Sequence, residues 1–369
     1  MHIPDGYLSP ATCAVGYAVT APMLAVASRK VRSRVRHRQV PTLAMLSAMC
    51  FLIMMFNIPI PDGTTAHAIG GVLVAVLLGP WAGLIAVSVA LAFQALLFGD
   101  GGVLVYGVNV FNMAIVLPFV GYGVYRLIAG RAALTAGRRV VAAAIAGYVG
   151  INVSALACAI ELGIQPTLFH NAQGAPLYSP YHLSQTIPAM MLAHLAVAGL
   201  VEAALTAGVI GYLQRANLPL LRINHPAVPL AGTVRMPRAS RLKPIRLALA
   251  TVLLMALLTP LGLLAPGGAF GEDSADTLDL KQTHLSAVPS GLQKYNGFWH
   301  HAMFSGYDFG HDRHPVIGYL LSALVGIAAI AVVVFGVSYL AVRIARSRRP
   351  DRQQPADRQP ADSELTAVG

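Results

Sequence analysis

Charge is what this sequence has least of. Only 11% of its 369 residues are Asp, Glu, Lys or Arg, while 56% are hydrophobic; a soluble globular domain carries about 25% charged residues. Cysteine is scarce too. Cys13, Cys50 and Cys158 stand in separate apolar runs with neither metal-type nor disulfide-type spacing, so they read as packing residues. No glycine-rich run ends in Gly-Lys-Ser or Gly-Lys-Thr, which excludes a P-loop for ATP, and no His-Glu-x-x-His occurs, which excludes the common zinc-protease site. No credible nucleophile constellation suggests an intramembrane enzyme. The first apolar run lacks a basic segment before it, so no cleaved leader is expected and Met1 should be kept.

What the sequence has instead is long apolar runs. Candidate spans are 8–28, 40–60, 68–78, 81–98, 103–127, 140–163, 186–213, 245–264 and 316–342. A bilayer core of ~30 Å needs about 20 residues of helix at 1.5 Å each, so 68–78 is too short to cross. The Gly79-Pro80 pair after it marks a turn. The expected fold is therefore an all-α integral membrane protein with about nine transmembrane segments: a seven-helix core that includes one half-length helix, plus a two-helix hairpin.

Basic residues give the orientation. Loops after the first, fifth and seventh spans, with the C-terminal tail, hold 23 of the 26 Lys and Arg. With nine crossings all 23 fall on one side, and only Lys281, Lys294 and Arg313 fall on the other. The N-terminus is expected outside and the tail inside, in the cell inner (plasma) membrane as a multi-pass protein. The net charge of +11 is spread over these separate loops, so it is not a nucleic-acid footprint.

The chain divides into a core, 1–213; a cytoplasmic linker, 214–243; a hairpin, 244–343, with a long outer segment; and a polar tail, 344–369, expected to be disordered. The outer segment is acidic at Glu272, Asp273, Asp276 and Asp279, then aromatic and His rich over 299–314. It reads as a metal-collecting loop or as an ordinary outer loop.

The start, Met1-His2-Ile3-Pro4-Asp5-Gly6, has definite coordination chemistry. The α-amine, the His2 amide nitrogen and the nearer imidazole nitrogen close a five- and a six-membered chelate ring. Three nitrogens then lie nearly in one plane, an arrangement that suits Ni(II) and Cu(II). His67, in Gly63-Thr64-Thr65-Ala66-His67-Ala68-Ile69-Gly70-Gly71, begins the half-length helix on the same outer side and could supply a fourth ligand; it could equally be a hydrogen-bonded core residue.

Three stretches carry a resemblance: MHIPDGYLSP at 1–10, PDGTTAHAIGGVLVAVLLGP at 61–80 and ALLFGDGGVLVYGVNVFNMAIV at 95–116. They are similar to the CbiM/NikM family, the substrate-binding (S) components of energy-coupling factor importers for cobalt and nickel. The likeness covers about 1–213. The hairpin resembles the NikN/CbiN accessory component, here fused, through its two-helix layout and Pro-Leu-Gly-Leu-Leu-Ala at 260–265.

The resemblance implies a metal site of Met1, His2 and His67. It implies nickel, which the MHIPDG start favours, or cobalt as the transported ion. Partners would be a transmembrane coupling subunit and two ATPase subunits, with no catalytic residue or cofactor on this chain. The alternative is a secondary metal-ion transporter working without ATPase subunits, but the inverted repeats and paired broken helices of that class are not seen.

Other polar residues receive weaker expectations. Asn109 and Asn112 could support the histidines or simply bond helix to helix. Glu161 lies near an outer helix end. Glu202 lies in mid-membrane, where a carboxylate is a functional candidate, although it could instead pair with His194. Asp5, Asp62 and Asp100 precede glycines and read as turn residues. Ala18, Ala21 and Ala25 form a small-residue stripe fit for helix packing.

Overall fold

The computed structural model describes residues 1–34, 39–60, 64–229, 244–265, 268–308 and 314–347. The turn carrying Asp62, most of the expected linker (230–243), His311 and the tail from 348 lie outside the described residues.

Helix α1 spans Pro10–Arg34 and α2 spans Val40–Met54. The expected second span ran on to residue 60. Helix α2 ends earlier, and the chain turns into a short antiparallel pair, β1 (Ile58–Ile60) and β2 (Thr64–Ala66), with Ile58 opposite Ala66. The half-length helix is present as α3, Gly71–Leu78, and every residue from Gly71 to Leu77 is buried. At eight residues it reaches only about 12 Å. Gly70 precedes it at φ 78°, and a Cβ there would stand 2.8 Å from Ile53 Cδ1. The left-handed backbone demands glycine there, and a Cβ would also press on the Ile53 tip.

Helix α4, Pro80–Phe93, continues as a wide π turn over Gln94–Phe98. Helix α5 (Tyr106–Val110), a second π segment (Phe111–Val116) and α6 (Leu117–Ala129) form one continuous span. Helix α7 spans Gly137–Gly163, followed by the short α8, Gln165–Leu168. Helices α9 (Leu183–Ala193) and α10 (Gly199–Ala216) join through a third π segment at His194–Ala198. A short α11, Leu218–Arg222, follows. The hairpin comprises α12 (Pro244–Leu258), whose 3₁₀ extension runs over Thr259–Leu264, and α14 (Pro315–Ser347). Between them the outer segment carries α13, Ser290–Tyr295, and a 3₁₀ turn at Ser305–Tyr307.

Among the described residues, six helices are long and apolar enough to cross a membrane, and two shorter apolar helices accompany them. Large apolar side chains stay exposed along α1, α7, α10, α12 and α14, for example Val15, Ile145, Leu200, Leu257 and Val332. In a water-soluble protein such faces would be a liability; here they are the lipid-facing surface of a multi-pass membrane protein. Ala18, Ala21 and Ala25 all lie on the exposed face of α1, turned away from this chain's own bundle.

Close helix crossings depend on missing side chains. Gly16 on α1 faces Gly107 on α5, where a Cβ would lie 2.6 Å from Tyr17 N and 2.8 Å from Gly16 C. Backbones that close bring whole helix faces into contact, the main source of helix association in lipid.

The hairpin packs onto α2. Tyr319 donates to the Met55 carbonyl at 3.4 Å, and Phe51, Phe98 and Tyr307 form an aromatic cluster with ring centroids 5.0 to 6.4 Å apart. The outer segment is pinned to core loops by backbone bonds from Gly291 N–H to Leu177 O (2.7 Å) and from Phe304 N–H to Leu97 O (2.9 Å). Cys13, Cys50 and Cys158 are free and buried, as packing residues should be.

Candidate metal centre

The first nine residues form no regular element, yet Met1, His2 and Ile3 are all buried. Two side chains hold them down. Asp5 accepts the N–H groups of Val103, Leu104 and Val105 at 2.8 to 3.2 Å. Asn109 clamps Ile3 from both sides, its Oδ1 accepting the Ile3 N–H at 3.0 Å and its Nδ2 donating to the Ile3 carbonyl at 3.1 Å. Asp5 lies in the expected turn, closed by the Tyr7 N–H to the Pro4 carbonyl, and its carboxylate also anchors that turn to the 103–105 backbone.

This anchoring places the His2 ring against His67, with centroids 5.0 Å apart. His2 Nδ1 and His67 Nε2 stand 3.2 Å apart. The far nitrogen of each ring is committed elsewhere. His67 Nδ1 lies 3.0 Å from the Ala68 carbonyl, which only accepts, so it carries the proton. His2 Nε2 lies 3.2 Å from Gln94 Oε1. The Gln94 amide is oriented by its own donors, which reach Asp100 Oδ2 at 3.3 Å and Tyr307 Oη at 3.0 Å. His2 Nε2 is therefore protonated too. Both rings turn their lone pairs toward the gap between them, because the other nitrogen's hydrogen bond sets the tautomer.

The Met1 amine and the His2 amide point to one place as well. Both donate to the same oxygen, Glu272 Oε1, at 3.1 and 3.0 Å. Burial draws the Met1 amine down and is the largest single effect, but the charge and hydrogen bond of Glu272, with Cys158 and Asp100 nearby, together leave the amine above its ordinary value. Burial, with the N-terminal charge nearby, pushes His67 well below the usual imidazole range, so its lone pair is free.

Asn112 does not reach either histidine. Its side-chain amide donates to Glu161 at 2.5 Å, while its backbone carbonyl takes the Ser154 hydroxyl at 2.8 Å. Glu161 is half-buried against it. Glu202 does not pair with His194, whose Nδ1 bonds the Met190 carbonyl within its own helix at 2.7 Å. Instead Glu202, fully buried, accepts the N–H groups of Ile69 and Gly70 at 2.8 and 2.9 Å. It satisfies backbone donors at the α3 N-terminus and so fixes the turn that carries His67. Asp100 takes the Tyr307 hydroxyl at 2.5 Å, a role beyond its expected turn.

Gln94, Tyr307 and Glu272 were not singled out as site residues from the sequence. A Gln within an apolar run is a recognisable signal, but nothing in the sequence pairs Tyr307 or Glu272 with residues more than two hundred positions away. Among the described residues no three His, Cys, Asp or Glu side chains form a metal-holding group. Here two of the four nitrogens of the expected site belong to the backbone.

A helical membrane bundle that buries its own N-terminus against a histidine pair is built as a membrane transport component. The chain belongs to the CbiM family, described as the cobalt uptake substrate-specific transmembrane region, which matches residues 2–220. It is 42% identical over 361 residues, 95% of this chain and 99% of the relative, to the fused nickel transport protein NikMN of Rhodobacter capsulatus. A probable fused nickel transport protein, LarMN of Lactiplantibacillus plantarum, is 44% identical and covers 92% of this chain and 98% of its own length. A crystal structure described as a truncated transition metal transporter is 59% identical, with a TM-score of 0.55, and covers 58% of this chain and 98% of its own.

Proposed function

We propose that this chain captures a divalent transition-metal ion, nickel first and cobalt second, on the outer side of the membrane and presents it for ATP-driven import. The observation that carries the reading is the pairing of two sets of nitrogens on the one buried N-terminal segment. His2 Nδ1 and His67 Nε2 face each other at 3.2 Å, and the Met1 amine and His2 amide aim at one shared point. Two backbone and two imidazole nitrogens make a square-planar set, the geometry typical of Ni(II) and Cu(II). The amide nitrogen binds only after losing its proton, so capture releases protons.

Nickel is supported by the relatives named for nickel transport. Cobalt is supported by the family description and by the cobalt transport protein CbiM of Geobacter sulfurreducens, 33% identical over 224 residues. The chain carries no P-loop, so ATP hydrolysis is assigned to two separate ATPase subunits joined through a coupling membrane subunit. The nine-segment topology has its N-terminus outside, following the Lys and Arg asymmetry. The hairpin, 244–343, acts as the fused accessory unit.

Metal titration of the full chain with a native N-terminus and a C-terminal tag tests the reading, set against a variant with one added N-terminal Gly. The extra residue converts the Met1 amine into an amide and shifts His2 to position three. The native chain is expected to bind one ion with square-planar absorption and the extended chain to lose that site. Equal affinity and identical absorption in both would overturn the assignment.

A further inference from the structure

The outer segment of the hairpin does more than cover the centre; one of its carboxylates stands where the ion must go. The amide nitrogen of His2 has a single bonding direction outside its peptide. In this structure Glu272 Oε1 takes that direction at 3.0 Å and reaches the Met1 amine at 3.1 Å. An ion held by the same two nitrogens would sit about 2 Å from each. Along that line it would come within about 1 Å of the oxygen, far short of a metal–oxygen bond of roughly 2 Å. The carboxylate and the ion cannot both keep these places.

We propose that Glu272 is the guarding residue of the chelate: it positions the Met1 and His2 nitrogens, competes with the ion for them, and is withdrawn when the ion is captured. This rests on the metal-capture reading above. The surroundings fit the role. A cavity of about 320 Å³ opens between the core and the hairpin, lined by His2, Asp100, Gly101, Glu272, Ser274 and Trp299 among others. It gives a hydrated cation a polar path to His2 and gives the withdrawn carboxylate a polar place to go. The movement is local. Glu272 sits in a tight turn closed by its own N–H to the Ala269 carbonyl at 3.1 Å; Phe270 packs on Tyr181 and the Ala275 N–H reaches Asn296 Oδ1 at 3.3 Å, so the turn keeps its flanking contacts while the carboxylate moves. Capture of the ion thereby frees the 269–275 turn from the N-terminus, and the hairpin senses loading.

Hydrogen–deuterium exchange on the full native-start chain, with and without Ni(II), tests this beside metal analysis and a binding titration. Bound Ni(II) is expected to slow exchange over 1–9 and to speed it over 269–275. Glu272→Ala is expected to show the faster 269–275 exchange already without Ni(II), and to bind Ni(II) at least as tightly as wild type. Glu272→Gln keeps the side-chain shape without the charge and is expected to bind at or above wild-type affinity, so the test survives if the alanine variant folds poorly.

Unchanged or slower exchange over 269–275 with one Ni(II) bound per chain would overturn the proposal. So would a loss of affinity of about tenfold or more in both variants, the cost typical of removing a group that supports the metal. Those outcomes leave the metal-capture reading standing. A wild-type chain that binds no Ni(II) or Co(II) removes that reading, and this inference with it.

Discussion

His2 Nδ1 and His67 Nε2 meet at 3.2 Å with their outer nitrogens held by Gln94 Oε1 and the Ala68 carbonyl. Asp100 Oδ1 lies 3.5 Å from the same His2 Nδ1, so a cation held between the rings has a carboxylate beside it. The ring orientations are set by groups that never touch the ion, and this gives a first prediction. Gln94→Leu removes the acceptor that keeps the proton on His2 Nε2 and leaves the Asp100–Tyr307 pair without its amide partner. Nickel affinity is expected to fall by roughly 10- to 100-fold with helix content unchanged. Titration beside circular dichroism checks it, and unaltered affinity would show that Gln94 does not orient the ring.

Affinity should depend on pH in a stated direction. Burial lowers the Met1 amine most, yet Glu272, Cys158 and Asp100 together raise it above its ordinary value of 8.0. A proton therefore competes with the ion up to higher pH than on a free amine, and the amide must lose its own. His67, held well below the imidazole range by burial, contributes little to this competition. Apparent affinity is expected to rise with pH and still to be rising above 8.0. Isothermal titration across pH measures it; a plateau reached at the His range would assign the competing proton to an imidazole instead.

Glu202→Gln places an amide NH₂ against backbone donors that now meet a carboxylate at 2.8 and 2.9 Å. The change is expected to destabilise the chain by about 1–3 kcal/mol, the cost of leaving buried donors poorly satisfied. It should weaken metal binding as well, since Ile69 and Gly70 carry the turn that aims His67. Thermal unfolding in detergent, paired with titration, separates the two effects.

Gly107→Ala puts a methyl within 2.6 Å of Tyr17 N and 2.8 Å of Gly16 C. Backbone cannot give way as a flexible side chain does, so α1 and α5 must separate. A loss of about 1–3 kcal/mol is expected. Gly123→Ala, where a Cβ would meet nothing within 4 Å, serves as the control and should leave the unfolding temperature unchanged.

Much of the architecture was legible in advance. Apolar runs, the Gly79-Pro80 break and the basic loops marked the helices, including the half-length α3. The end of α2 was misplaced because β-branched and apolar residues at 58–60 suit a buried strand as well as a helix, and short apolar runs do not distinguish the two. Asp5 and Glu202 were visible as polar residues in apolar company, but their partners are backbone N–H groups, which no side-chain pattern reveals.

The sequence by itself determined that the chain lives in a membrane, that a His stands second in the chain, where a planar nitrogen chelate is expected, and that His67 belongs to a segment too short to cross. Those features are local: run length, residue order, and the distance between adjacent nitrogens along one chain. The tertiary structure alone decided that Gln94 and the Ala68 carbonyl set the two imidazole tautomers, that Glu202 aims the His67 turn, and that Glu272 and Tyr307 reach the centre from the hairpin. Each of these joins groups distant in sequence or buried in backbone, and only the packing of helices brings their donors and acceptors within 3 Å or so of one another.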